Sequence, residues 1–246
     1  MKKLCFCTAG RTPALNHARN KLCSWGYDVT DQPGEAVTHI LLSVPSLDET
    51  GAIRGGPRIE ELLPQFSSDV TVLGGMLPPL PCPSVDFLKD AYYLAENAAI
   101  TAQCALSLTY SHLQKTLTGL PVLVIGWGRI GKCLAPLLRS LGAEVTVAVR
   151  KASDAAMLNA LGFQAASLED LNADQFQIIY NTAPAPVLHR SHTHPDALCI
   201  DLASQKGIHG DGVLWAKGLP GKMAPETSGA LIAKTALRYA LRKESV

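Results

Sequence analysis

With 246 residues, 47% of them hydrophobic and 17% charged, the chain is long enough for one large or two small domains around a buried core, which excludes a disordered protein. Lys and Arg number 22 against 21 Asp and Glu, and a net charge of +1 supplies no single-sign field, so nucleic acid and anionic membrane surfaces are not expected as partners. The 7 Cys are an odd number without a CxxC pair; they indicate neither a disulfide framework nor a zinc ribbon and fit a reducing cytoplasm.

The opening MKKLCFCTAG has an apolar run of only about four residues, against the roughly 7 to 15 of a secretory signal core, and is predicted to be a buried first strand. A helical segment, NHARNKLCSWG, follows, then the strand THILLSV, a Gly-rich loop, the helical RIEELLPQF and a third strand, VTVLGGM. The proline-dense MLPPLPCPSVD cannot stay regular, and it separates these strands from a long helical stretch starting at DFLKDAYYLAENAAITAQ. No apolar run approaches the roughly 18 residues of a membrane span, which predicts a soluble protein.

From Pro121 the pattern predicts strands at 121–126, 144–149, 176–181, 197–201 and 213–217, with helices after Gly128 and around 153–161. A last helix from Thr227 to Lys243 follows Pro225, with Glu226 in its first turn and Arg238, Arg242 and Lys243 at its end, the charge order that suits a helix dipole. Strands alternating with helices predict an α/β protein: a Rossmann-type doubly wound parallel sheet plus a smaller flavodoxin-like α/β domain. The expected division is a small domain at 1–95, a linking helix at 96–118, a cofactor-binding domain at 119–225, and a terminal helix at 226–246 packing back toward the first domain.

Gly126-Trp127-Gly128-Arg129-Ile130-Gly131 follows the apolar strand LVI directly and opens a helix, the context in which a glycine pattern signals a dinucleotide. Gly126 permits the tight turn, Gly128 lets backbone N–H groups approach a pyrophosphate, and Gly131 lets helix and strand pack closely. Sites that prefer NAD commonly end the second strand with Asp or Glu to meet the ribose 2′-OH, but here Val149 is followed by Arg150 and Lys151, with Ser153 nearby. A cationic pair and a hydroxyl suit a 2′-phosphate, so NADP is the expected cofactor and NAD the alternative, with Arg150 then stacking on adenine. The turns Asn181-Thr182-Ala183-Pro184 and Asp201-Leu202-Ala203-Ser204 end later strands, where they either face the nicotinamide half or cap local backbone donors.

VIGWGRIGKCLA, IIYNTAPAP, IDLASQKG, GLPGKMAPETSGALIA and, upstream, YLAENAAITAQCAL resemble the A-subunit family of dipicolinate synthase, with a likeness running from about Val85 to Leu241. Before that, only CTAGRT, the SVPS turn and LGGM correspond. The resemblance implies a cytoplasmic bacterial oxidoreductase of the mother cell in sporulation, oxidising dihydrodipicolinate to pyridine-2,6-dicarboxylate with a nicotinamide cofactor. The implied partner is a flavoprotein-like B subunit. The chain departs from the family pattern in a short first domain, in Gln103 where Glu-Gly is usual, and in Gln-Lys-Gly after the Asp201 turn instead of Arg-Pro-Gly-Gly.

A planar dicarboxylate needs cationic or N–H-rich receivers, and Arg11, in Thr8-Ala9-Gly10-Arg11-Thr12, is expected to face an interdomain cleft in that role, with Lys206 and Lys222 secondary. Ser204, Glu226 and the N–H groups of Gly218 to Gly221 are the candidates for orienting the substrate; aromatisation favours the reaction, so a strong base is not required. His189, His192 and His194 are closely spaced but lack a Cys or acidic partner, and read as an exposed loop, not a metal site. D-2-hydroxyacid dehydrogenases share the glycine turn, but they resemble one another in an Arg after the fourth-strand turn and a Pro-His pair, where this chain has Ser204 and Glu226. A non-catalytic NADP-binding subunit is a further alternative, and the long linking and terminal helices offer surfaces for a homo-oligomer.

Overall fold

A computed structural model of the chain describes residues 3–242; Met1 and Lys2 of the leader-like start and Lys243, expected to end the terminal helix, lie outside the described residues. In chain order the elements are β1 (Cys5–Thr8), α1 (Pro13–Ser24), β2 (Asp28–Thr30), β3 (His39–Leu41), α2 (Ile59–Leu62), β4 (Thr71–Gly74), β5 (Ser84–Asp86) and α3 (Ala91–His112). There follow β6 (Pro121–Ile125), α4 (Arg129–Ser140), β7 (Glu144–Val149), α5 (Ala152–Ala160), β8 (Gln164–Ser167), β9 (Ile178–Asn181) and the short β10 (Leu188–His189). The last are β11 (Leu198–Asp201), β12 (Ile208–His209), β13 (Val213–Trp215), α6 (Leu219–Met223) and α7 (Pro225–Arg242). Two compact units result, one of Met1–Asn97 with Pro220–Val246 and the other of Ala98–Leu219.

The first unit is a parallel five-stranded sheet in the order β2-β1-β3-β4-β5, the winding of flavodoxin-like folds. Its strands obey the period of two: Cys7, Ile40 and Val72, paired in register, enter one apolar cluster with Ile53 and Ile59. Thr12 starts α1 by accepting a hydrogen bond from the Leu15 N–H at 3.2 Å, with Pro13 in the first turn. Asp90 starts α3 the same way, accepting from Tyr93 N–H at 2.7 Å, and is also bound by Arg238 at 2.6 Å and by the Tyr239 hydroxyl at 2.5 Å. Helix α7 lies against α1 through Gly229, where a Cβ would stand 2.4 Å from the Ala14 carbonyl oxygen.

The second unit is a parallel six-stranded sheet in the order β13-β11-β9-β6-β7-β8. Counted from β6, this is the doubly wound Rossmann order, with the direction of winding reversing between β6 and β9. One face carries Leu123, Ile125, Ala148, Ile179 and Cys199 in a single cluster.

Both sheets match the expected fold class, and several local readings change. The proline-dense segment is not wholly irregular, because β5 forms at its end. The helix read over RIEELLPQF lasts only from Ile59 to Leu62 before a 3-10 turn containing Pro64, whose missing N–H cannot continue the ladder. The terminal helix begins at Pro225, two residues before Thr227, and β13 stops at Trp215.

Candidate functional site

The strand-to-helix turn after β6 is built around three glycines with different surroundings. Gly126 has φ +99°, open to glycine without strain, and an added Cβ would meet Thr182 Oγ1 at 2.8 Å. Gly131, in the first turn of α4, faces the turn so closely that a Cβ would stand 2.2 Å from the Gly126 carbonyl oxygen. Around Gly128 nothing lies within 4 Å of an added Cβ, and no side chain caps the helix it starts. The first turn of this 12-residue helix thus has no side-chain cap and is uncrowded at Gly128, an arrangement that fits a pyrophosphate. The Trp127 ring packs on Phe163 with centroids 5.8 Å apart, and Phe163 in turn lies under Arg139.

Across the switch point, Thr182 ties the end of β9 to the end of β6, its N–H and its hydroxyl both donating to the Ile125 carbonyl at 2.9 Å. Asn181 and Asp201 are fully buried at the ends of β9 and β11. The Asn181 amide donates to Asp201 Oδ1 and to the Ala183 carbonyl, each at 3.0 Å, and accepts from Ala183 N–H at 2.9 Å. Asp201 also accepts from the N–H groups of Ala203 at 3.0 Å, Gly207 at 2.7 Å and Ile208 at 2.8 Å. Both side chains are thus spent on folding the two turns. What those turns present is backbone, with Thr182, Ala183 and the exposed Pro184 on one and the exposed Ser204 beyond the buried Leu202 and Ala203 on the other.

At the end of β7, Arg150, Lys151 and Ser153 are all exposed, and no carboxylate pairs with either cation among the described residues. Lys151 precedes α5, whose first turn has no side-chain cap. Leu168 N–H reaches back to the Val149 carbonyl at 3.3 Å, which brings the loop after β8 beside this end. That loop, the one after β9 and His209 of β12 border an open hollow of about 570 Å³ lined also by Leu168, Asn172, Val187, His189 and His192.

The histidine loop is held by Arg190, whose guanidinium donates to Thr193 Oγ1 and to the carbonyls of His194, Pro195 and Ala197. Among the described residues no group of three His, Cys, Asp or Glu could hold a metal ion. Arg11 is exposed just before α1, its N–H donating to the Arg54 carbonyl at 2.8 Å, and Glu226 is exposed in the first turn of α7. These two belong to the first unit; Ser204 and all the predicted cofactor residues belong to the second.

Two features went unread in the sequence. Gly207 is required because a Cβ would fall 2.4 Å from both the Ala185 oxygen and Asn181 Nδ2, a role that the glycine of LASQKG signals only in outline. Tyr180 sits in the middle of the sheet, shares a hydrogen bond with Thr109, and burial pushes its phenol up to about 12; no local pattern distinguishes it from any other core residue.

Residues 97–191 match the family profile of the D-isomer specific 2-hydroxyacid dehydrogenase, NAD binding domain, which supports a nicotinamide dinucleotide cofactor. The A subunit of dipicolinate synthase from Bacillus subtilis (strain 168) is 31% identical over 150 residues, 56% of this chain and 50% of that protein, so the match spans about half the length of the curated relative. Among solved structures, the corresponding subunit from Bacillus halodurans superposes with a TM-score of 0.82 at 22% identity, covering 97% of this chain and 98% of that one. The solved structure of the Bacillus subtilis protein gives 0.84 at 20% identity, covering 100% of this chain and 98% of that one. The resemblance drawn from the sequence is borne out: the chain is similar to the A subunit of dipicolinate synthase in sequence and, over nearly all its length, in fold. No helix among the described residues is long and apolar enough to cross a membrane.

Proposed function

We propose that the chain is an oxidoreductase of the dipicolinate synthase kind, converting dihydrodipicolinate to pyridine-2,6-dicarboxylate with NADP in the cytoplasm of a sporulating mother cell. The observation that carries the reading is the uncapped start of α4, crowded at Gly131 and empty at Gly128. The backbone from Gly126 to Gly131 would hold the pyrophosphate, and Arg150 and Lys151, which no carboxylate pairs among the described residues, would with Ser153 receive the 2′-phosphate beyond the end of β7. Thr182, Ala183, Pro184 and the turn from Asp201 to Ala203 would line the nicotinamide half through their backbone, with Asn181 and Asp201 acting as the braces that shape it.

A bound NADP supplies the acceptor for the hydride that the dihydropyridine loses, leaving one proton to be released. Ser204, Arg11 and Glu226 would orient the dicarboxylate, with Arg11 as the bidentate partner of one carboxylate. A D-2-hydroxyacid dehydrogenase reaction is disfavoured, because Ser204 and Glu226 replace the Arg and the Pro-His pair of those enzymes. The proposed partners are a second copy of the chain and a flavoprotein-like B subunit.

The test is a calorimetric titration of the chain with NADP and with NAD, followed by NADPH formation from dihydrodipicolinate with and without the B subunit. Arg150→Ala with Lys151→Ala is expected to weaken NADP by about tenfold to a hundredfold and to leave NAD within about twofold. Binding of NADP without turnover, even with the B subunit present, would favour a non-catalytic cofactor-holding protein instead.

A further inference from the structure

At the carboxyl end of β13 the sheet carries a large aromatic side chain that the core does not use. Trp215 is 47% exposed, while its neighbours Ala203 and Ala216 are buried. Its indole is nevertheless fixed: Nε1 donates to the Ala203 carbonyl at 3.1 Å, and Lys217 holds its ammonium over the ring at 5.5 Å from the centroid. Trp215 pairs in register with Asp201, and the Ala216 N–H donates to the Asp201 carbonyl at 2.8 Å, so the indole stands beside the Asp201 turn at the end of the sheet where ligands of doubly wound folds collect.

We propose that Trp215 and Lys217 form the platform for the substrate ring, a planar unsaturated ring carrying carboxylates, which takes the place of the Lys217 ammonium on the indole face and draws that ammonium aside onto one of its carboxylates. This deepens the oxidoreductase reading and rests on it. Three features of the pair select that ligand class. An exposed indole pinned through its N–H offers a π-face without the entropy cost of ordering it, and a flat ring gains from stacking where a puckered one does not. The adjacent ammonium, otherwise paired with no carboxylate among the described residues, favours an anionic substituent on the stacked ring over a neutral nucleobase or sugar. The Ala203 carbonyl that fixes the indole belongs to the turn proposed to line the nicotinamide half, so the platform and the cofactor would share one wall.

The experiment titrates the full chain with pyridine-2,6-dicarboxylate and with cis-cyclohexane-1,3-dicarboxylate, a non-planar ligand of equal charge, with NADPH present and absent. Trp215→Ala is expected to weaken the pyridine ligand by about tenfold, Trp215→Phe to stay within about threefold of the parent, and both to leave NADPH affinity and the melting temperature unchanged. Lys217→Gln is expected to weaken both dicarboxylates by about three- to tenfold and to flatten the salt dependence of binding. The platform is overturned if Trp215→Ala binds the pyridine ligand like the parent, if it loses NADPH and dicarboxylate together, or if the parent takes NADPH but no pyridine-2,6-dicarboxylate. A parent chain that binds the dicarboxylate, with the expected Trp215 dependence, but binds no dinucleotide would sink the oxidoreductase reading while leaving the platform standing.

Discussion

Asp201 shows how one side chain can be placed correctly and read only halfway. Its position at a strand end marks the ligand-bearing edge of the sheet, yet its carboxylate is consumed by Asn181 and three backbone N–H groups. Asx residues at turns satisfy local donors as readily as they meet ligands, and the sequence presents both possibilities in the same letters. Asp201→Ala strands those donors in the interior and is expected to cost about 3 to 5 kcal/mol, read from the urea midpoint of unfolding. The glycine turn separates the same two roles cleanly. Gly131→Ala is expected to destabilise by about 1 to 3 kcal/mol because the Gly126 carbonyl stands 2.2 Å from the new carbon. Gly128→Ala meets no neighbour, so thermal melts should hold within about 0.5 kcal/mol of the parent while NADP affinity falls.

Helices and central strands were legible because each carries its own apolar period, and the glycine turn anchored the second sheet. Five strands escaped prediction: the two-residue β10 and β12, which pair only with each other, and β2, β5 and β8, which are edges of the two larger sheets. The last three are three or four residues long and largely exposed or half-buried, and an edge strand is held by a neighbour's hydrogen bonds more than by its own pattern. The start of α3 was only partly legible, since Asp90 caps it locally through Tyr93 N–H but the side chains that hold Asp90 come from α7, far along the chain. Burial alone would raise the Asp90 carboxyl, but hydrogen bonds from Tyr239, Tyr93 N–H and Arg238 outweigh it and hold the group at about 2, below the ordinary 3.8. A carboxyl depressed by folding stabilises fully above its unfolded value and loses that contribution as the pH falls through the folded one. Stability of the first unit should therefore drop by roughly 2 kcal/mol between about pH 4 and pH 2, and Asp90→Asn should remove that part of the acid-unfolding slope. Where α7 meets α1, Gly229→Leu would drive a side chain into Ala14, His17 and Ala18; a lower melting temperature and a loss of cooperativity are expected.

For the molecule as a whole, the fold class is legible in the alternation of strands and helices, and the terminal helix is expected from the sequence to pack back toward the first domain; the first unit is made of segments separated in the chain. The residues proposed to hold the dinucleotide all belong to the second unit, so coenzyme at about a hundred times its dissociation constant should add about 2.7 kcal/mol there. Hydrogen exchange is the measurement: residues 98–219 should gain protection first, and equal protection across both units would contradict a site built by the glycine turn. The discontinuity of the first unit has a further consequence during synthesis. Its sheet and α1 leave the ribosome early, but the helix that covers α1 is translated only after all of the second unit. The nascent α1 must therefore wait with its apolar flank bare, and a stall anywhere in that interval would offer the flank to chaperones.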